Sequence, residues 1–155
     1  MKSSKKIIDA LNMALTDEMT AINQYIVHAE MAANWGYEKL HEYSEGLAVQ
    51  EMKHAEKLVG RILFLEGTPI ISKYSPINIG TDVPSDLKND LATETEAVKM
   101  YNEIAQICVT EKDYGTKEIV DDILREQEAH VDGLEARLDQ IKQMGLGNFL
   151  TTVTA

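Results

Sequence analysis

Four stretches of this chain repeat apolar residues at helical spacing, and a single proline-bearing stretch divides them into two pairs. The first stripe runs Leu11, Leu15, Glu18, Ile22, Tyr25, Ala29 and Ala32. The second runs Leu40, Leu47, Glu51, His54, Leu58 and Leu65, after a break near Trp35-Gly36. The third is Leu87, Leu91, Glu94, Val98, Tyr101, Ala105 and Cys108, and a break at Asp113 to Gly115 separates it from Val120, Ile123, Gln127, His130, Leu134 and Ile141. All three prolines, Pro69, Pro76 and Pro84, fall in or next to Glu66 to Asp82. Proline removes a helical donor and glycine (here Gly67 and Gly80) loosens the backbone, so this stretch is a long connection. Pro84 suits the first turn of the helix that follows. Short, long and short connections imply an all-α four-helix bundle, two antiparallel hairpins joined by a crossover between helices two and three. Gly145 and Gly147 end the fourth helix, and NFLTTV is long enough for a short fifth. At 155 residues the chain is read as one domain, 1–155.

Each apolar stripe carries a polar residue near its middle. A carboxylate there loses its hydration and needs a partner, a proton or a metal. Glu51 and His54 stand at i and i+3, so both project from one helix face. Glu18 and Glu94 lie 76 positions apart, as do Tyr25 and Tyr101, His54 and His130, and Arg61 and Arg137. Glu51 has Gln127 at the same offset. Such a repeat implies a pseudo-two-fold axis that brings equivalent residues together at the bundle centre. A Glu from each of two helices plus a Glu-x-x-His from each of the other two is the donor pattern of carboxylate-bridged di-iron or di-manganese sites. One Glu-x-x-His alone occurs in many helices, and a lone buried His is more often hydrogen-bonded core. Glu18, Glu51, His54, Glu94 and His130 at symmetric offsets point instead to metal. Tyr25 and Tyr101 lie two turns from the glutamates, where each is open to a bond with a ligand carboxylate, to electron donation or to plain packing.

Composition narrows the partners. Fifteen basic against 26 acidic residues give −11, which argues against a nucleic-acid partner. Cys108 is the only cysteine, so neither a disulfide framework nor a thiolate zinc site fits one chain. Asp9, Asn12 and Asp17 interrupt any signal-peptide core, and no run of about 18 apolar residues exists to cross a membrane. A cytoplasmic protein is expected. Met19, Ile26, Val49 and Val59 suggest a second apolar face, which marks a subunit interface. Met52 points about 100° from the inward Glu51. A methionine there is more often packing, although a thioether also serves as an axial ligand of haem iron.

The stretches AINQYIVHAEMAANWG, EMKHAEKLVGRILFLEGTP, NIGTDV and QEAHVDGLEARLDQIKQMG resemble bacterioferritin, a ferritin-like family, over nearly the whole chain. That resemblance implies iron storage and detoxification in a hollow shell of twenty-four subunits built from two-fold dimers. It implies oxidation of ferrous iron by oxygen or hydrogen peroxide, a ferric mineral inside, and b-type haem between paired subunits. The di-iron ligands would be Glu18, Glu51, His54, Glu94 and His130, with Tyr25 beside them and Met52 as the haem ligand. Glu66, Asp132 and Asp139 match acidic positions of an iron-access channel. Departures are specific. The sixth ligand, glutamate in the family, is Gln127 here, a weak donor. An inner-surface histidine and acid correspond to Gly46 and Gln50, and an aromatic near the last ligand helix is Gly133. The expectation is a ferroxidase whose second half-site is weakened. Two other readings stand beside it: a haem-bearing storage subunit with little oxidase activity that co-assembles with an active subunit, and, more distantly, a rubrerythrin-like peroxidase. The latter lacks its Cys-x-x-Cys pair.

Overall fold

The computed structural model describes residues 1–155. Its helices are α1 (Lys5–Asn34), α2 (Glu38–Phe64), α3 (Val83–Thr110), α4 (Tyr114–Met144) and α5 (Leu146–Thr151). Helix α1 packs along α2 and α3 along α4, and α1 also meets α3 while α2 meets α4. This is the expected ferritin-like four-helix bundle with a long crossover and a short C-terminal helix.

Local chemistry sets the helix ends. Ser4 accepts from the Ile7 amide at the start of α1. Asp82 and Ser85 form a reciprocal capping box at α3, with Pro84 in the first turn. The two hairpin loops turn through left-handed residues 76 positions apart, Gly36 at φ 88° and Lys112 at φ 57°. The break expected at Asp113 to Gly115 comes slightly earlier. Asp113 accepts from the Thr116 amide at 2.9 Å, so α4 begins at Tyr114 and takes Gly115 into its first turn. A side chain at 115 would meet Arg61 Nη2 at 2.8 Å. That guanidinium binds Thr116 Oγ1 at 2.9 Å and Asp113 Oδ1 at 3.1 Å, tying α2 to the start of α4.

The buried line of α3 also departs from the expected stripe. Ala97 and Ile104 are fully buried, while Val98 and Ala105 are only half-buried. Glu94, Ala97, Tyr101, Ile104 and Cys108 alternate steps of three and four, the 3.5-residue period of helices that coil around each other. The expected stripe keeps the same period but takes its fours and threes in the opposite order, so it shares Glu94, Tyr101 and Cys108 with the seam and misses it at Ala97 and Ile104.

The crossover is held by a polar edge of α1. Asn12 accepts from the Ile70 amide at 2.9 Å and donates to Thr68 O at 3.1 Å. Thr20 accepts from Ser75 N at 2.8 Å, Gln24 from Asn78 N at 3.1 Å, and His28 Nε2 from Gly80 N at 3.2 Å. Steps of four place Thr20, Gln24 and His28 on one edge of the helix, and each satisfies an amide of the extended strap. His28 also faces Asp90 at 2.8 Å and Asp86 at 3.3 Å.

At Gly80 the strap passes close against the first turn of α3. A Cβ there would lie 2.2 Å from Asp86 Oδ1 and 2.6 Å from both Asp86 N and Ser85 Oγ. Gly80→Ala should therefore lower stability by about 1–3 kcal/mol, the usual cost of overpacking. Denaturant unfolding that matches the parent would contradict this close approach.

Candidate metal centre

The bundle interior is apolar at both ends. One core is built from Leu11, Leu15, Leu58, Ile104 and Ile123, and another from Leu40, Leu87, Leu134 and Phe149. Buried polar residues from all four long helices lie at the middle. Glu18, Glu51 and His54 are 0% exposed, Glu94 and Gln127 1%, and His130 6%.

Glu51 is the shared member. Its Oε2 lies 3.3 Å from His54 Nδ1, and its Oε1 lies 3.0 Å from His130 Nδ1. Glu18 Oε1 is 3.6 Å from His54 Nδ1, and Glu94 Oε1 is 3.3 Å from His130 Nδ1. Two donor triads result, Glu18–Glu51–His54 and Glu51–Glu94–His130, each with its donor atoms within 4.8 Å of one another. The structure thus brings together all five residues expected from the sequence, together with Gln127. The amide of Gln127 donates to Glu18 Oε1 at 3.3 Å and to Glu51 Oε2 at 3.2 Å.

The tyrosines bind crosswise. Tyr25 on α1 donates to Glu94 on α3, and Tyr101 on α3 donates to Glu18 on α1. Tyr101, open between packing and bonding in the sequence, is thus a hydrogen-bond partner of a carboxylate. Outside the histidines stand two residues that the sequence reading did not place there. His54 Nε2 bonds Glu126, and His130 Nε2 bonds Gln50. Positions 50 and 126 again differ by 76, so the offset held the signal. Glu126 lies about 100° from Gln127 on α4 and does not enter the inner cluster. Gly46 has open space around it, while Gly133 lies under the Tyr43 hydroxyl, which a Cβ would approach to 3.1 Å. The Tyr43 hydroxyl, from α2, thus reaches over the α4 position at which the resemblance expects an aromatic.

Crowded carboxylates redistribute protons. Burial, then the charge of Glu51, raises Glu18 well above the usual carboxylate range. The same two causes push Glu94 up to about 8. Burial opposes ionisation of Glu51 too, but the neighbouring protons of Glu18, His130 and His54 outweigh it and hold Glu51 well below the usual range. Burial pulls His130 down, yet the Glu51 and Glu94 carboxylates carry it up to about 9. Burial also raises the Cys108 thiol, to about 11. Even so, Glu18 Oε2, Glu51 Oε1, Glu94 Oε2, Gln127 Oε1 and His130 Nδ1 are buried without a hydrogen-bond partner. Orphaned buried donors and acceptors are costly, and five at one point mark a place built for something else.

An antiparallel bundle with carboxylate and imidazole donors from facing helices defines the class of ferritin-like carboxylate metalloproteins. A model of the ferritin-like domain matches residues 8–144. The chain is 39% identical over 145 residues to a bacterioferritin of Brucella melitensis, covering 94% of this chain and 90% of that protein. It is 43% identical over 152 residues to a bacterial ferritin of Paramagnetospirillum magnetotacticum, covering 97% and 93%. A bacterioferritin of Rhodobacter capsulatus is 39% identical over 149 residues, covering 96% and 92%. The chain belongs to the bacterioferritins, within the ferritin-like family.

Proton placement makes a test. Without metal, Glu94 and His130 hold their protons more tightly folded than unfolded, where the ordinary values are 4.5 and 6.5. Their stabilising contributions are complete below those values and fade as pH rises through about 8 for Glu94 and about 9 for His130. The metal-free melting temperature should therefore fall between pH 6.5 and 9, and Glu94→Gln should shrink the fall. Differential scanning calorimetry giving a flat profile over that window would rule out the proton arrangement.

Proposed function

We propose that this chain stores and detoxifies iron, taking ferrous ions at the Glu51-centred cluster and passing oxidised product into the cavity of a shell. The five unpartnered buried atoms at mid-bundle carry this reading. Their chemistry fits the substrate, since carboxylate oxygen and imidazole nitrogen suit iron or manganese. Glu18 and His54 would hold one ion, Glu94 and His130 the other, and Glu51 would bridge, one oxygen to each. Gln127 would contribute only a neutral amide oxygen. Each ferrous ion gives one electron to oxygen or peroxide. Tyr25 and Tyr101 keep the Glu94 and Glu18 carboxylates aimed inward, and the apolar cores at either end exclude bulk water. The outer carboxylates Glu66, Asp132 and Asp139 are exposed, and we place them on the route of iron to the cluster.

Membership of the bacterioferritins supports an oligomeric shell, which we take to be twenty-four copies, homo-oligomeric or mixed with a second subunit type. On the outer face Ile26 is 50% exposed, Met52 46% and Val49 41%, with Met19 and Asn23 half-buried beside them. We place the two-fold subunit contact there. An exposed thioether on an apolar face fits a b-type haem shared by two copies, which Met52 of each would hold. Haem there would supply an electron-transfer centre. Met52→Leu keeps the volume and removes the sulfur, so the shell should assemble with its haem content lost. Size exclusion with haem absorbance reads both, and unchanged haem content would refute the assignment.

The neutral Gln127 favours a slower oxidase and keeps a second reading in play, a storage subunit dependent on an active partner. Two ferrous ions bring four positive charges and two ferric ions six, against three inner carboxylates. Gln127→Glu should tighten the weaker ion and speed oxidation about tenfold or more, on the scale set by one missing charge in a dry site. Stopped-flow absorbance on iron addition measures it. If the parent already oxidises iron rapidly and the variant is no faster, the amide is no handicap.

A further inference from the structure

Resting on the metal reading above, the pseudo-two-fold repeat can be followed one layer outward, to the far nitrogens of the two histidines. Both rings turn Nδ1 to the inner carboxylates and Nε2 outward. Their centroids are 6.1 Å apart and their planes 25° from parallel, so the two imidazoles are near copies. Their supports are not copies. His54 Nε2 rests on a carboxylate, Glu126, and His130 Nε2 on an amide oxygen, Gln50. The inner pair is inverted in the same way: α2 carries Gln50-Glu51 and α4 carries Glu126-Gln127. The anion missing from the inner shell on α4 thus stands one residue earlier, behind the histidine of the opposite half.

We propose that Glu126 is a positioning residue which, through its bond to His54, makes the His54 position the tighter of the two metal positions, leaving the Gln50-backed His130 position to exchange its ion.

An acceptor on Nε2 fixes its proton there and leaves the Nδ1 lone pair for a metal. An anionic acceptor does more than an amide, because it makes the imidazole a stronger donor, and such supports change affinity by about 10–100-fold. Glu126 has half its side chain exposed, so solvent screens it and the lower end of that range applies. One effect opposes it. The Gln127 amide donates to Glu18 and Glu51 on the His54 side, and a metal arriving there must displace those two bonds. They are long, at 3.3 and 3.2 Å, and come from an uncharged amide, while the carboxylate on the His54 imidazole is kept when a metal binds and is the stronger interaction. The His130 side has an equal number of inner carboxylates, Glu94 and Glu51, so first ligands alone do not separate the positions. The outer pair does.

The test uses metal-free full-length protein and cobalt(II), which reports binding without turnover. Calorimetric titration of the parent should resolve two steps at least about tenfold apart. In Glu126→Gln the tight step should weaken about tenfold with the weak step nearly unmoved, and Gln50→Glu should tighten the weak step. The double exchange, Gln50→Glu with Glu126→Gln, should move cobalt at one equivalent from the His54 to the His130 position, as read by anomalous diffraction. Both outer residues are partly or fully exposed and the exchanges are near-isosteric, so folding should be preserved, with circular dichroism as the check. A tight step unmoved in Glu126→Gln, or cobalt divided equally between positions in the parent, would overturn the inference while leaving the metal site intact. Retention of both steps in Glu51→Ala would overturn the metal reading itself, and this inference with it.

Discussion

Three carboxylates buried at one level of a bundle repel each other and have lost their water, and most of this structure answers that problem. Glu18 and Glu94 respond by holding protons, Glu51 by staying charged among the protons of Glu18 and both histidines. Tyr25 and Tyr101 each supply a hydroxyl from the opposite hairpin. Such a layer is tolerable only where helices lie close and fixed. The seam of α3, with its alternating three- and four-residue steps, and the Arg61 clasp on the start of α4 provide that. Even so, five polar atoms of the layer stay unpartnered.

The pseudo-two-fold repeat distributes this task. Hairpin loops, tyrosine–glutamate bonds, the inner histidines and their outer partners all recur at an offset of 76. Since the tyrosines bind across the hairpins, neither half holds its own carboxylates in place. The two halves are mutually dependent, and the crossover that joins them is correspondingly well anchored, by Asn12, Thr20, Gln24 and His28 along one helix edge.

Helix number, the crossover and the inner cluster were legible in the sequence because each depends on a short-range signal: period, proline, or a donor spaced at i and i+3. The start of α4 was misplaced by a residue or two, since Gly115 reads as a breaker until the space claimed by Arg61 is known. Thr20, Gln24 and His28 went unread as a unit because their partners are backbone amides of the strap, which leave no mark in side-chain patterns. Gln50 and Glu126 sit at exposed positions, where a polar residue is ordinary. Only the 76-residue offset, applied to residues off the apolar stripe, would have exposed them.

That outer layer changes how the glutamine at 127 is understood. Counted at the first ligands alone, the cluster has lost one anion of a symmetric set. Counted one bond further out, Glu126 returns a negative charge to the site, but on one side and through an imidazole. An inner carboxylate binds metal directly and can bridge, whereas an outer one acts only by strengthening a single ligand. On the proposed iron reading, replacing the first by the second would preserve attraction for divalent ions while removing the support that a more highly charged oxidised pair needs. It also breaks an equivalence that the fold otherwise maintains from the hairpin loops to the tyrosines. A bundle with symmetric walls and an asymmetric charge distribution has the means to treat two chemically identical ions differently, and here the means consist of one inverted dipeptide.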